Sequence, residues 1–536
     1  MSRQQRYGGQ IPARVTGLGG SDSRRKADEG VTEAARLLQD DRTQRAERLL
    51  RKILKAEPEN SEALHLAGVA RYRAGRGKQA RQLVERAISI APDEPAYRIT
   101  LAGLLEQADD TPRAVAEYER AVALDPLDSG TWFALANAWK RLGHLEAAID
   151  CYGKVLEIAP DDAPTLYNLG NAQKAIGRLE AAVEAYRLAL AARPGFIPVY
   201  KNLGTTLKDL GRTAEGFEFL RAGAQIMFAA EGIHEEELRH PLMTSKAKLL
   251  HDAEQLEYLV ENRKLPESYA SHADLYRRLI ASQDNSSGAS ESFEMPLAER
   301  GAVAEVYNRL VYLNKAPRCE GPAVNPDLDS RAIERDYNSS HPEIVYFDDF
   351  LTDEALRGLR AFCLESTIWY TRYENGYLGA MLGDGFASPL LAQIVDELPQ
   401  KLPGIFGGHK LNQAWAFKYD SHLSGINLHA DFAAVNVNFW ITPDDALQDP
   451  DAGGLIVWDK EAPLDWNFDK YNADEPAMRR FLEESDARAV SVPYRQNRAL
   501  VFNSDLFHET GRIAFKPGYE NRRINITLLY GDRRSA

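Results

Sequence analysis

Prolines recur at Pro58, Pro92, Pro126, Pro160 and Pro194, each 34 residues after the last. A fixed period of that length implies helix pairs stacked in a row, each burying its apolar face against the next. Other positions keep the same register. Gly75, Gly143, Gly177 and Gly211 occupy one place, where Asp109 stands in once; Ala46, Ala80, Ala114, Ala148 and Ala182 occupy another, which Gly216 continues. Tyr118, Tyr152 and Tyr186 form a third series, and Trp132, Leu166 and Tyr200 a fourth. Small residues let the two helices of a pair approach closely. Glycine frees the turn between them, proline ends the second helix, and the aromatic positions are expected to pack inside.

With segments such as Ala163-Pro164-Thr165-Leu166-Tyr167-Asn168-Leu169-Gly170 and Ala181-Ala182-Val183-Glu184-Ala185-Tyr186, this part resembles the tetratricopeptide repeat (TPR) family. The register predicts an α-helical TPR solenoid of about six repeats over residues 27–230, the first a weaker cap. The resemblance implies a concave surface that holds a protein or peptide partner. Asn137, Asn168, Asn171 and Asn202, with Lys140, Lys174 and Lys208 one period apart, fall on first helices. They read either as a ladder for an acidic or backbone-rich peptide or as a solvated face.

At 536 residues the chain is too long for one core. A formal charge of -14 makes nucleic acid an unexpected partner. Cys151, Cys319 and Cys363 lie far apart and suggest neither disulfides nor a zinc knuckle. No apolar run approaches a membrane span. Residues 1–26 are rich in Arg, Gly and Ser without an apolar core segment, and are expected to be a disordered tail of a cytoplasmic protein. Beyond the repeats, residues 231–340 read as a helical adaptor, with helices over 245–262, 271–282 and 296–313.

The chemistry-bearing stretch is His429-Ala430-Asp431, followed at long range by His508 and Arg523. Side chains two apart on a strand share a face, so His429 and Asp431 can converge on one ion. With His508 they supply the three protein ligands of a non-haem iron site that leaves positions open. Strands are predicted over 342–347, 412–419, 427–431, 435–441, 455–458, 489–493, 499–503 and 523–530, with helices starting near Thr352 and Ser388. Arg523 lies on a strand otherwise rich in Ile and Leu, where an unpaired guanidinium would be costly and a carboxylate would satisfy it bidentately. Alternation puts Arg522 on the opposite face, expected at the surface.

On Ala416-Phe417-Lys418-Tyr419, His429-Ala430-Asp431, Asp451-Ala452-Gly453-Gly454-Leu455, Ala499-Leu500-Val501-Phe502-Asn503, His508-Glu509 and Arg523-Ile524-Asn525-Ile526-Thr527, residues 341–536 resemble the Fe(II)- and 2-oxoglutarate-dependent dioxygenases, nearest their prolyl hydroxylase branch. The resemblance implies a double-stranded β-helix (a jelly-roll, cupin-like domain). It also implies Fe(II) on His429, Asp431 and His508, and 2-oxoglutarate held through its distal carboxylate by Arg523, with dioxygen as the other cosubstrate. Tyr419 stands where relatives contact the cosubstrate. Asn525, where many relatives carry a small hydroxyl residue, is expected to assist the same carboxylate, and Asn438 to touch cosubstrate. Asn436, on the same strand face as Asn438, either touches cosubstrate or substrate or faces an edge, and Asp505 either orients His508 or caps a turn. Trp440 and Trp458 either wall the pocket or pack; His409 and His422 are not expected to be ligands.

The combined expectation is a multidomain hydroxylase acting on a protein or peptide side chain, its repeats recruiting substrate or a partner. The alternatives are a small-molecule oxygenase that uses the repeats for assembly, and a non-catalytic scaffold or sensor with a degenerate oxygenase domain.

Overall fold

The computed structural model describes residues 22–229, 242–283, 291–421 and 425–533. Residues 1–21 of the expected tail and His422 lie outside that set, and the first helix already begins at Asp22. The chain forms two compact units, Met1–Pro194 and Gly195–Ala536. Among the described residues no helix is long and apolar enough to cross a membrane.

The first unit is five helix pairs: α1 (Asp22–Gln39) with α2 (Thr43–Ala56), α3 (Ser61–Arg73) with α4 (Gly77–Ile90), α5 (Pro95–Gln107) with α6 (Thr111–Leu124), α7 (Ser129–Arg141) with α8 (Leu145–Ile158), and α9 (Ala163–Ala175) with α10 (Leu179–Ala192). Ala46, Ala80, Ala114, Ala148 and Ala182 are all fully buried, as the small-residue register requires. The turn position takes a left-handed backbone: Gly75, Gly143 and Gly177 lie at φ 74°, 81° and 78°, and both Asp109 and Asp41 at 57°. Asp41 is the first member of that series, one period before Gly75; aspartate tolerates this conformation better than most residues.

Tyr118, Tyr152 and Tyr186 are fully buried packing residues. Two of them reach asparagines of the preceding helix, Tyr152 donating to Asn137 Oδ1 (2.8 Å) and Tyr186 to Asn171 Oδ1 (2.7 Å). Lys140 donates to Asn168 Oδ1 at 3.0 Å. The asparagine and lysine series is thus partly knitted to itself.

The second unit opens with a sixth pair, α11 (Ile197–Asp209) and α12 (Thr213–Met227). Here Gly216 replaces the register alanine because a Cβ would lie 2.6 Å from the Gly204 carbonyl oxygen. The last lysine of the series, Lys208, is buried, with its ammonium on the Leu411 carbonyl (2.7 Å) and Asp209 (2.9 Å). Phe217 and Leu220 belong to the same apolar core as the β-strands. The sixth pair thus ends at Met227, beside the expected end of the repeats at 230, while belonging to the second compact unit.

Helices Lys246–Glu261 and Ala270–Ala281 follow, the first capped by Ser245. The helix expected over 296–313 is shorter, Leu297–Val303. A small pairing of β1 (Met243–Ser245) with β2 (Ser292–Glu294) joins them. Ten further strands make two antiparallel sheets: β3 (Ile344–Phe347), β4 (Thr371–Arg372), β5 (Leu378–Met381), β6 (Leu411–Tyr419), β7 (Val435–Trp440), β8 (Leu455–Glu461), β9 (Ala489–Val492), β10 (Ala499–Asn503), β11 (Leu506–Thr510) and β12 (Arg523–Tyr530). The larger sheet runs β3-β10-β7-β12-β6-β5-β4 and the smaller β11-β8-β9.

Alternation divides the larger sheet cleanly. Val435, Val437, Phe439, Ile524, Ile526 and Leu528 pack with helices Asp353–Glu365 and Pro389–Lys401, whose N-termini are capped by Thr352 and Ser388. On the other face Phe417, Tyr419, Trp440, Leu500 and Phe502 meet Leu455, Val457, Val492 and Leu506 of the smaller sheet. The helix-covered face explains Arg522: it is buried rather than at the surface, because helix Lys246–Glu261 lies over it and supplies Glu254, whose carboxylate accepts from Arg522 Nε at 2.8 Å.

Candidate metal centre

His429, Asp431 and His508 come together with one ligand atom from each within 4.8 Å of the others. The stretch 427–431 is not the expected strand. A single antiparallel bridge brings His429 opposite His508, with His429 N donating to His508 O (3.0 Å) and His508 N to His429 O (2.8 Å). That exchange sets the imidazoles side by side, ring centres 4.2 Å apart.

Tautomers follow from the backbone. Nδ1–H of His429 donates to the Asn427 carbonyl (2.9 Å) and Nδ1–H of His508 to that of Leu506 (3.0 Å), which leaves each Nε2 as a bare lone pair. Burial, and then the neighbouring His508, push His429 down to about 4, so it is neutral at neutral pH. For Asp431 burial acts upward, but the adjacent His508 and His429 and the Asn436 amide N–H outweigh it and hold the carboxyl below its usual range. Neutral imidazole and ionised carboxylate are the forms that bind a metal.

The residue between the ligands is pinned by a segment that motif reading passed over. Ala430 N donates to Tyr471 O (2.9 Å) and Asn472 Nδ2 donates to Ala430 O (3.0 Å). Leu428, Ala430 and Phe507 share an apolar cluster with Tyr471, Met478 and Leu482 from helices Phe468–Asn472 and Glu475–Glu484. Asp505 pairs with Arg533, which lies over the Tyr471 ring, so Asp505 anchors this segment rather than the His508 imidazole. Trp458 packs against the same cluster. His409 is exposed on a turn.

Across the sheet lies a second polar group. Arg523 is wholly buried. Its Nε donates to the Gly453 carbonyl at 2.7 Å, while Nη1 and Nη2 have no partner. Gly453 sits at φ 78°, and a Cβ there would come within 2.8 Å of Phe515; glycine is what lets its carbonyl turn toward the guanidinium. The guanidinium stands 4.8 Å from the Tyr419 ring centre and 5.7 Å from that of Trp440. Trp440 Nε1 is also buried without a partner; burial pushes the Tyr419 phenol up to about 12 against the pull of Arg523 and Thr510 on its hydroxyl, so it stays protonated. The two Nη groups of a buried cation and Trp440 Nε1, with no hydrogen-bond acceptor of good geometry among the described residues, fit an anion.

Between the two groups runs a chain of amides. Asn436 Nδ2 donates to Asp431 Oδ2 (2.6 Å), Asn438 Nδ2 to Asn436 Oδ1 (2.6 Å), and Asn525 Nδ2 to Asn438 Oδ1 (2.8 Å). Thr527 Oγ1 donates to Asn438 Oδ1 as well (2.9 Å). Asn525, expected to help hold a carboxylate, has its amino group engaged and a buried Oδ1 without a partner. What it offers is an acceptor. No motif signals this chain, because it depends on which residues of β7 and β12 fall opposite each other, Thr527 on Asn438 and Asn525 on Trp440.

The tetratricopeptide repeat family matches residues 37–104, and related repeat descriptions match 95–138, 136–177 and 163–196. Among solved structures, the chain is similar to MamA (20% identity over 30% of this chain and 94% of that one, TM-score 0.29). It is similar also to YrrB, a TPR protein with an unusual peptide-binding site (20% identity, 33% and 96% covered, TM-score 0.30). A third is PilF of Pseudomonas aeruginosa (16% identity, 38% and 93% covered, TM-score 0.33). No curated protein matches the chain. Residues 37–196 are tetratricopeptide repeats, an architecture that typically binds protein or peptide partners, and a β-sheet-rich region follows them.

Proposed function

We propose that this protein is an Fe(II)- and 2-oxoglutarate-dependent dioxygenase that hydroxylates a protein or peptide side chain, with the TPR array recruiting substrate or a partner. In this reading the two sheets form a double-stranded β-helix. The observation that carries it is the buried Arg523 guanidinium with two unpartnered N–H groups, on the same sheet face as the amide chain that ends at Asp431. A zinc hydrolase built on the same triad would give that cation nothing to meet.

His429 Nε2, His508 Nε2 and an Asp431 oxygen would hold Fe(II), and Arg523 the distal carboxylate of 2-oxoglutarate. With these and dioxygen bound, such a centre couples oxidative decarboxylation of the cosubstrate to hydroxylation of a C–H bond. The chain's own part is placement. The Asn427 and Leu506 carbonyls fix the imidazoles. Gly453 O holds Nε, which leaves both Nη groups as the donors that would hold the carboxylate. Tyr419, Trp440 and Tyr494 wall the guanidinium and keep water from it. The array supplies the reason to favour a macromolecular substrate over a small one, since TPR units typically bind peptides.

The test is an anaerobic titration of Fe(II)-loaded protein with 2-oxoglutarate, following the weak visible metal-to-ligand charge-transfer band. The band should form with wild type and be lost or much weakened in His508→Ala and Arg523→Ala. Bound iron with no band would refute the mechanism.

A further inference from the structure

The amide chain has a direction. A carboxylate offers only acceptors, so the amide touching Asp431 Oδ2 must present its N–H there, and it does so at 2.6 Å. That leaves Asn436 Oδ1 to accept from Asn438, and Asn438 Oδ1 to accept from both Asn525 and Thr527. Every donor points toward Asp431. Asn436, Asn438, Asn525 and Thr527 are all buried, so water does not compete for these bonds. Asp431 Oδ2 carries the Asn436 N–H and stands 3.5 Å from His508 Nε2, while Oδ1 accepts no hydrogen bond among the described residues and stands 3.9 Å from His429 Nε2, so what separates the two oxygens is the Asn436 bond.

We propose that Asn436, backed by Asn438, Asn525 and Thr527, is a positioning residue that holds Asp431 as a single-oxygen metal ligand by occupying Oδ2 and leaving Oδ1 for the ion. This rests on the triad being a metal site and deepens that reading. Without the Asn436 N–H the carboxylate is free to rotate or to present both oxygens to the ion, which changes the coordination number and uses a position that ligands would otherwise take. Asn438 acts at one remove: its N–H fixes which end of the Asn436 amide faces Asp431. Partners of metal ligands, when removed, typically weaken metal binding by about 10–100-fold.

The experiment is a Co(II) titration of the full chain followed by visible absorption, whose intensity reports coordination number, with Mn(II) affinity measured in parallel. Asn436→Leu should weaken both ions by roughly 10–100-fold and alter the Co(II) spectrum. Asn438→Leu should move both readouts the same way by a smaller factor. Thr527→Val, which keeps the shape, should give a smaller shift still, and it guards against the leucine variants failing to fold. A merely structural role would lower the melting temperature and leave the Co(II) spectrum of the folded protein unchanged, which would overturn the proposal. A wild-type spectrum in Asn438→Leu and Thr527→Val would confine the effect to direct contact and overturn the relay. His508→Ala separates the two levels: if it binds Co(II) as wild type does, the metal site itself fails and this inference with it.

Discussion

Replacing Arg523 by methionine should make the ligand-free protein more stable while abolishing its response to 2-oxoglutarate. The guanidinium is wholly buried and faces no carboxylate among the described residues. Burying an ion carries a penalty of several kcal/mol, taken here as about 5. Against it stand one charge-assisted hydrogen bond to Gly453 O, worth roughly 2 kcal/mol, and the Tyr419 and Trp440 ring contacts, worth about 1 kcal/mol together. Methionine fills similar volume without the charge, so the variant should gain about 2 kcal/mol. An unfolding entropy of about 2.1 cal/mol/K per residue, over the roughly 340 residues of the second unit, converts this to about 3 °C. The assay is thermal melting of that unit with a divalent metal, with and without 2-oxoglutarate. At a hundredfold excess over Kd the ligand should add about 2.7 kcal/mol to wild type, near 4 °C by the same conversion, and nothing to the variant. An Arg523→Met protein that melts several degrees lower and still shifts with 2-oxoglutarate would refute the argument, since it would make the guanidinium a structural group.

Three further outcomes follow from the geometry. Gly453→Ala, by forcing a Cβ against Phe515 from a φ of 78°, should turn the carbonyl away from Arg523 and weaken 2-oxoglutarate binding by about tenfold, roughly one charge-assisted hydrogen bond; calorimetry would check it, with Mn(II) affinity unchanged. Gly216→Ala should destabilise the second unit by about 2–3 kcal/mol through overpacking against Gly204 O, measured by urea unfolding, whereas the reverse change Ala182→Gly in the first unit should cost only about 1 kcal/mol. His65, buried and bonded through Nε2 to Thr100 Oγ1 (2.8 Å), is lowered by burial to about 4. The unfolded chain then binds the extra proton between pH 6.5 and 4, so this stability is complete above pH 6.5 and is lost as pH falls through that window, up to roughly 3 kcal/mol. His65→Gln should flatten the acid limb of the first unit's denaturation profile.

The parts legible in the sequence are those where one residue type answers one local need. The 34-residue register gave the helix pairs because alanine, glycine and proline each solve a steric problem within a single repeat, and it extends to Asp41, whose left-handed turn aspartate can adopt. Strand alternation rightly put Arg523 and Arg522 on opposite faces, yet misjudged Arg522, because the helix that covers it lies more than 260 residues upstream in the chain and brings Glu254. The triad was readable as residues, but its support was not. His429 and His508 are neighbours through one bridge rather than a strand, and the amide chain depends on cross-strand register, which sequence spacing does not carry. Asn525 is the sharpest case: its position suggested a donor to a carboxylate, and only its neighbours decide that it offers an oxygen instead.

The sixth helix pair has a consequence for how such a chain can change over time. Repeat arrays lengthen and shorten by whole 34-residue insertions and deletions, a change each repeat tolerates because its neighbours are interchangeable. Here α11 and α12 are not interchangeable: Gly216, Lys208, Phe217 and Leu220 are fitted to each other or to the strands and helices of the second unit. Duplication or loss is therefore open only upstream of Gly195, and a truncation made at residue 230 to isolate the β-rich region would strip apolar core from it. The array has one growing end, and its last pair is part of the β-rich unit's own core.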